Sequence, residues 1–363
     1  MVPGERGLSL YIATQTFAPQ TGGMEGVMTA LAEKFAKKYA GQNDGVTVLP
    51  DKAYDAETGY RIVQKDRLKF RRAAGKRAWL ASRLTPDDIV ICDSWKSVNA
   101  VPPHQGKLVV LAHGQEYLKS GRRAHRVQKA LNRATHLVAS SHYTLRLVQA
   151  GWSVQHLKAT AIPPTYMLAD DVPRLTKDNK RQTLCLVSIC RLEARKGLLQ
   201  SLEALAAMER TTADWTWQIG GDGAQRTELA AAIERLGLAD RVTLLGRVDA
   251  AQKDALLATA DLFVMPSYQH GKSLEGYGIT YAEAARFGVP AIAGLAGGAP
   301  EAVLDGKTGW CVDATAPDAL VATLTAALSD NAVRRERGTA AQKRYGEELT
   351  GAAVFAALLN HIG

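Results

Sequence analysis

Short apolar runs alternate with stretches of helical period along almost the whole chain. In the first half, runs of strand length occupy residues 8–14, 45–49, 88–92, 107–112 and 136–139. Between them, residues 24–39 place Val27, Leu31 and Phe35 on one face, which predicts a helix, and residues 145–150 predict a shorter one ending at Gly151. The second half restarts at residues 184–189 and continues through 215–219, 242–245, 261–265 and 290–293, with helices predicted at 198–208, 225–236 and 252–260. Strands that alternate with helices in this way predict an α/β fold with mainly parallel sheets.

Residues 161–182 break the rhythm. They hold three prolines and seven charged residues without a regular period, which reads as a linker between two domains. A length of 363 residues accommodates two such domains. The predicted division is residues 1–165, residues 166–345, and a terminal helix over 346–363 that crosses back to the first domain.

Composition adds limits. Apolar content of 46% and charged content of 22% are ordinary globular values. No apolar run approaches the roughly 18 residues of a membrane-spanning helix, and no charged-then-apolar leader opens the chain, so the expected location is cytoplasmic. Cys92, Cys185, Cys190 and Cys311 lie without a Cys-x-x-Cys spacing and read as core thiols, not as a disulfide framework or a zinc site.

The net charge of +9 is unevenly shared. Through Thr165 there are 24 Lys and Arg against 12 Asp and Glu, a net of +12; the remainder has 21 against 24, a net of −3. Residues 61–83 concentrate Lys and Arg against the single acid Asp66, with Leu68, Phe70, Trp79 and Leu80 among them, and residues 119–133 form a second basic run. A basic, partly apolar segment containing Trp suits a protein lying on an anionic leaflet. No recognised nucleic-acid motif accompanies the charge, so nucleic acid is not an expected partner.

The chemistry collects in Gly-rich turns at predicted strand ends. Gly22 and Gly23 stand between the first strand and the first helix, where backbone can approach a phosphate or a sugar ring. His113 closes the run at 107–112, followed by Glu116 and Tyr117, and ligands of open α/β sheets gather at such carboxyl ends. Arg191 ends the run at 184–189, and Lys196 lies five residues on, just before Gly197 and a helix. Two cations converging on a helix start describe a diphosphate site. Glu275 sits in a Glu-Gly-Tyr-Gly loop that ends at Gly278, and Glu283 follows on an apparent helix. A second Gly-rich turn, Gly297-Gly298, then runs into Glu301.

Taken in order, these elements resemble the donor-binding segments of retaining GT-B glycosyltransferases of the bacterial mannosyltransferase-like group, glycosyltransferase family 4. The resemblance rests on Gly-Gly at 22–23, His-Gly at 113–114, Arg-x4-Lys at 191–196, Gly-Asp-Gly at 221–223, Glu-x7-Glu at 275–283 and Gly-Gly-Ala-Pro-Glu at 297–301. It implies two Rossmann-like domains facing across a cleft. It also implies Arg191 and Lys196 on the donor pyrophosphate, Glu283 on the ribose and Glu275 on donor sugar hydroxyls. Gly22, Gly23 and Gly278 would lie against the donor, and His113 near the transferred sugar. Residues 244–248 fall where the family contacts the base. Two departures stand out: Cys190 replaces the usual glycine before Arg191, and Ile-Pro-Pro-Thr-Tyr at 162–166 replaces an Ile-Pro-Asn-Gly turn.

The activity this implies is retaining transfer of a mannose- or glucose-type hexose. The donor would be a GDP- or UDP-linked sugar and the acceptor an anionic or lipid-linked envelope glycan, such as lipopolysaccharide core. Work at the inner face of the cell membrane follows from the basic half. Asp87-Asp88 and Asp170-Asp171 are adjacent pairs and not an Asp-x-Asp element, so neither a metal nor another cofactor is expected. A glycosidase built on Glu275 and Glu283 has no need of the Arg191–Lys196 pair. A nucleotide-sugar epimerase on the same architecture, and a catalytically silent glycan or nucleotide binder, remain as alternatives.

Overall fold

The computed structural model describes residues 9–20, 22–40, 45–52, 57–64, 68, 70–118, 121–173, 183–208 and 214–363. The chain forms two units: Met1–Leu168 with Gly351–Gly363, and Ala169–Thr350.

The first unit is built on seven parallel strands: β1 (Leu10–Ala13), β2 (Val46–Leu49), β3 (Arg61–Ile62), β4 (Ile89–Cys92), β5 (Lys107–Ala112), β6 (His136–Ala139) and β7 (Lys158–Ala161). Their order is β3-β2-β1-β4-β5-β6-β7. Strands β1, β2, β4 and β6 are buried at every position, as expected of a parallel sheet covered on both faces. The connecting helices are α1 (Gly23–Lys38), α2 (Arg72–Ala81), α3 (Arg122–Leu131) and α4 (His142–Gly151). Ser141 caps α4 by accepting from the Thr144 N–H, so that helix starts earlier than the apolar pattern predicts.

The second unit repeats the plan. Strands β8 (Thr183–Ile189), β9 (Asp214–Gly220), β10 (Val242–Gly246), β11 (Leu262–Met265), β12 (Ala291–Gly294) and β13 (Gly309–Val312) pair in the order β10-β9-β8-β11-β12-β13. Helices α5 (Leu198–Ala207), α6 (Arg226–Arg235), α7 (Ala250–Thr259), α8 (Ile279–Arg286), α9 (Ala299–Ala302), α10 (Pro317–Ser329) and α11 (Asn331–Arg344) accompany them. The final helix, α12 (Gly351–Ile362), belongs to the first unit, where Phe355 meets Phe35 of α1 edge to face at 4.8 Å.

In both sheets the connections reverse direction beside the first strand, between β1 and β4 and between β8 and β11. In open α/β sheets that reversal leaves a crevice at the carboxyl ends of the two strands, where ligands bind. The second unit braces this point from below. The buried Trp217 indole donates to Ser188 Oγ at 2.9 Å, and Ser188 donates in turn to the Val264 carbonyl, tying β9, β8 and β11 together.

Three expectations need correction. The segment read as a linker starts inside the first unit: Ile162, Thr165, Tyr166 and Leu168 are buried, because tertiary contacts cover a stretch that lacks a period of its own. The basic run at 61–83 is not a free cationic face either. Trp79 and Leu80 pack in the core, and Lys76 is buried, donating to the Thr14 carbonyl at 2.8 Å and to Asp51 Oδ1 at 2.6 Å. What remains exposed there includes Leu68 and Phe70, at 51% and 80%, with Arg71 and Arg77; residues 65–67 and 69 lie outside the described residues. Of the cysteines, Cys92 and Cys185 are buried, whereas Cys190 and Cys311 are only half-buried. Among the described residues no helix is long and apolar enough to cross a membrane.

Candidate active site

The reversal point of the second sheet gathers most of the predicted donor residues. The loop after β8 carries Arg191, Arg195 and Lys196; the loop after β11 carries Glu275 and Gly278. Arg191 is 69% exposed and pairs with Glu193 at 2.8 Å. Arg195 is enclosed, 6% exposed, and donates through Nε to Glu193 Oε2 at 3.0 Å and through Nη1 to Glu275 Oε2 at 2.7 Å. Lys196 donates to that same Glu275 oxygen.

Glu275 is therefore a nearly buried carboxylate with two cations on one oxygen. Burial alone would raise its pKa, but Lys196 and Arg195 outweigh it and hold the group down at about 2. Glu275 is fully ionised at neutral pH, and the loop presents three cations against Glu193 and Glu275, an excess of positive charge.

Close backbone approach fixes this geometry. Gly298 N–H donates to the Glu275 carbonyl at 2.9 Å, and Gly297 beside it has φ +72°. A Cβ on Gly297 would lie 2.1 Å from the Glu275 carbonyl oxygen, so only glycine lets the turn after β12 close over the Glu275 loop. Gly278 caps α8 from the left-handed region, at φ +90°.

Residues 172–344 match the family described as glycosyl transferases group 1. The second unit is a glycosyltransferase group 1 domain. Over more of the chain, a GDP-mannose-dependent alpha-(1-6)-phosphatidylinositol monomannoside mannosyltransferase from Mycolicibacterium smegmatis is 29% identical across 352 residues, covering 88% of this chain and 89% of the relative. Two solved structures share the fold of both units, the GT-B fold. Anabaena HepE in complex with UDP and glucose superposes with a TM-score of 0.73 at 18% identity over 97% of this chain and 98% of its own. The lipopolysaccharide outer core galactosyltransferase WaaB gives 0.71 at 18% over 97% and 99%.

Within the group 1 domain, Glu283 occupies the second turn of α8, 9% exposed, and accepts a hydrogen bond from Lys253 in the first turn of α7. The remaining candidates belong to the first unit. Gly22 and Gly23 are exposed at the amino end of α1, and Glu25 of the first turn leans back over them; a Cβ on Gly22 would lie 2.3 Å from its Oε2. His113, at the carboxyl end of β5, has its Nε2 2.8 Å from the Asp93 carbonyl. A carbonyl only accepts, so Nε2 is the donor in this bond. Nδ1 is enclosed and, among the described residues, has no hydrogen-bond partner. The His113 N–H donates to Glu116 Oε1 at 2.5 Å, which gives Glu116 a local structural role.

Three residues that pattern reasoning passed over emerge from the geometry. Asp93, buried after β4, accepts through Oδ2 from the Thr14 hydroxyl, the Gln15 N–H and both donors of Thr16, at 2.7–3.1 Å, and through Oδ1 from Ser97. It fixes the turn that leads to Gly22, and an acid at a strand end was the available signal. Arg195 reads in sequence as an extra basic neighbour, and Lys253 carries no motif. Among the described residues no group of three or more His, Cys, Asp or Glu side chains is placed to hold a metal ion.

Proposed function

We propose that this protein is a retaining hexosyltransferase that moves a mannose- or glucose-type hexose from a GDP- or UDP-linked donor to an envelope glycan or glycolipid. The observation that carries the reading is the cation cluster at the β8–β11 reversal, with Arg191 open to solvent and Lys196 beside an ionised Glu275. A nucleoside diphosphate leaving group gains negative charge as the glycosidic bond breaks, and preorganised cations stabilise that charge in the transition state. Arg191 and Lys196 take the β-phosphate, Glu283 the ribose, and Glu275 the hydroxyls of the hexose. Gly278 lines the donor, and the acceptor attacks from the face the nucleotide leaves. None of these roles assigns a step to a metal. The named relatives act from GDP-mannose onto a lipid acceptor or in lipopolysaccharide assembly, which favours these donor and acceptor classes.

The test is incubation with a panel of GDP- and UDP-hexoses, with separate detection of free nucleotide, epimerised donor and glycosylated acceptor. Transfer with an α-linked product from an α-linked donor supports the proposal. Epimer without transfer makes the protein an epimerase, and binding without turnover makes it a silent binder.

The two carboxylates divide the donor between them. Glu283→Gln weakens nucleoside diphosphate binding about tenfold, a typical loss for one charge-assisted hydrogen bond. Glu275→Gln leaves that affinity nearly unchanged and lowers kcat. Calorimetric titration of GDP and UDP into both variants decides the matter; equal losses of affinity refute the division.

The exposed Leu68 and Phe70 beside Arg71 and Arg77 support contact with an anionic leaflet, each surface cation adding about 1 kcal/mol. The protein is expected to sediment with anionic but not neutral vesicles at low salt. The triple variant Phe70→Ser, Arg71→Glu, Arg77→Glu is expected to stay in the supernatant. Wild-type protein that remains soluble beside anionic vesicles removes the membrane from the proposal.

A further inference from the structure

Arg195 and Lys196 reach the same oxygen of Glu275, yet they are held very differently. Among the described residues Lys196 has Glu275 as its one ion-pair partner, at the end of a flexible stem. Arg195 is fixed at two points, by Glu193 and by Glu275, and its own carbonyl accepts the Tyr268 N–H at 2.9 Å. It thus bridges the loop after β8 to the loop after β11. Both bonds fall on Oε2; among the described residues no donor occupies Oε1 of Glu275.

This difference matters once a diphosphate arrives. An ammonium has three protons and can turn toward a phosphate, whereas a planar guanidinium clamped at both ends cannot follow. We propose that Arg195 is a positioning residue that keeps Glu275 in place by Oε2 while Lys196 engages the diphosphate, so that Oε1 stays turned to the hexose. The inference rests on the donor reading above and deepens it: one cation of the pair serves the nucleotide and the other serves the carboxylate.

Arg195 also keeps Glu275 charged when Lys196 is shared with phosphate. Among the described residues, the other groups facing Glu275 supply no cation in its stead. Glu193 is an acid, and burial pushes the Cys190 thiol up to about 11 and the Tyr281 hydroxyl well above its ordinary value, so both stay neutral. Lys196 and Arg195 together hold the carboxylate down at about 2; without Arg195 it rises, because burial then meets less opposition, and its titration moves into the range an assay follows. The ionised form is the active one, so activity is lost on the acid side as pH falls, and losing Arg195 moves that limb upward.

The experiment compares wild type, Arg195→Met and Arg195→Lys. Each is assayed for donor turnover as a function of pH and titrated calorimetrically with GDP and UDP. In Arg195→Met, kcat is expected to fall about a hundredfold, as for a misplaced reacting group. Its acid limb moves up into the assayed range, where wild type shows none, and nucleoside diphosphate affinity changes less than about threefold. Arg195→Lys keeps the charge but has a single prong: its acid limb stays near wild type while kcat remains reduced. An unmoved acid limb in Arg195→Met overturns the proposal, as does a loss of nucleoside diphosphate affinity in step with kcat. If the Met variant does not fold, Arg195→Lys decides alone: reduced kcat at unchanged affinity supports the role, and wild-type kcat overturns it. Wild-type protein that binds neither GDP nor UDP is a different result. It refutes the donor reading, and this inference falls with it.

Discussion

Replacing Lys196 with Ala is expected to lower kcat for hexose transfer by about a hundredfold, equivalent to ~3 kcal/mol of transition-state stabilisation. The side chain stands at the reversal point of the second sheet, where the charge of a departing diphosphate would build up. It is nearly enclosed against Glu275, so the field it exerts is little screened by solvent. Removing it leaves Glu275 paired with Arg195, which keeps the buried carboxylate compensated and the domain folded. Arg191→Ala provides the companion measurement. At 69% exposure, with Glu193 as its ion-pair partner, Arg191 contributes little to stability. A similar drop in kcat with an unchanged melting temperature therefore isolates catalysis from folding. Near-normal kcat in both variants removes the diphosphate assignment.

Gly294→Ala is expected to destabilise the group 1 domain by about 3 kcal/mol, through overpacking against backbone. Gly294 ends β12, and a Cβ there would lie 1.5 Å from the Ser267 carbonyl oxygen, so the loop after β11 must move. For a unit of this size the loss corresponds to roughly 10 °C in melting temperature. Differential scanning calorimetry reads it directly. The displaced segment leads to Glu275, so donor affinity and kcat fall as well. A variant that melts within a degree or two of wild type would mean that the β11 loop has slack that the structure does not suggest.

The central strands were legible because a parallel sheet covered on both faces demands unbroken apolar runs, as in Leu186, Val187 and Ile189 of β8. The edges were not. Lys-Ala-Thr-Ala in β7 has no fully buried position and β3 spans two residues, so neither leaves an apolar signature. Strand β13, Gly-Trp-Cys-Val, opens on a glycine directly after a polar turn and so offers only three apolar residues in a row. The candidate site divides along similar lines. Gly-rich turns and strand-end cations are local patterns, and Arg191, Lys196, Glu275 and Gly278 could be picked out from them. What each side chain holds is not local. Arg195 meets Glu275 across 80 positions and Lys253 meets Glu283 across 30, and no spacing rule reaches that far. Lys76 looked like surface charge for the same reason, since Asp51 and the Thr14 carbonyl receive it from distant segments.

The return of α12 to the first unit has a consequence for biosynthesis. The group 1 domain is one continuous stretch of chain, whereas the first unit needs Val354, Leu358 and Ile362 to complete its packing. Domains generally fold as units while the chain emerges from the ribosome, and a unit cannot finish before its last piece appears. The half made first is thus completed last, after the other has been synthesised in full. During that interval the site on α1 that receives Phe355 stays uncovered, which makes this helix the place where a nascent chain most needs protection from misassociation.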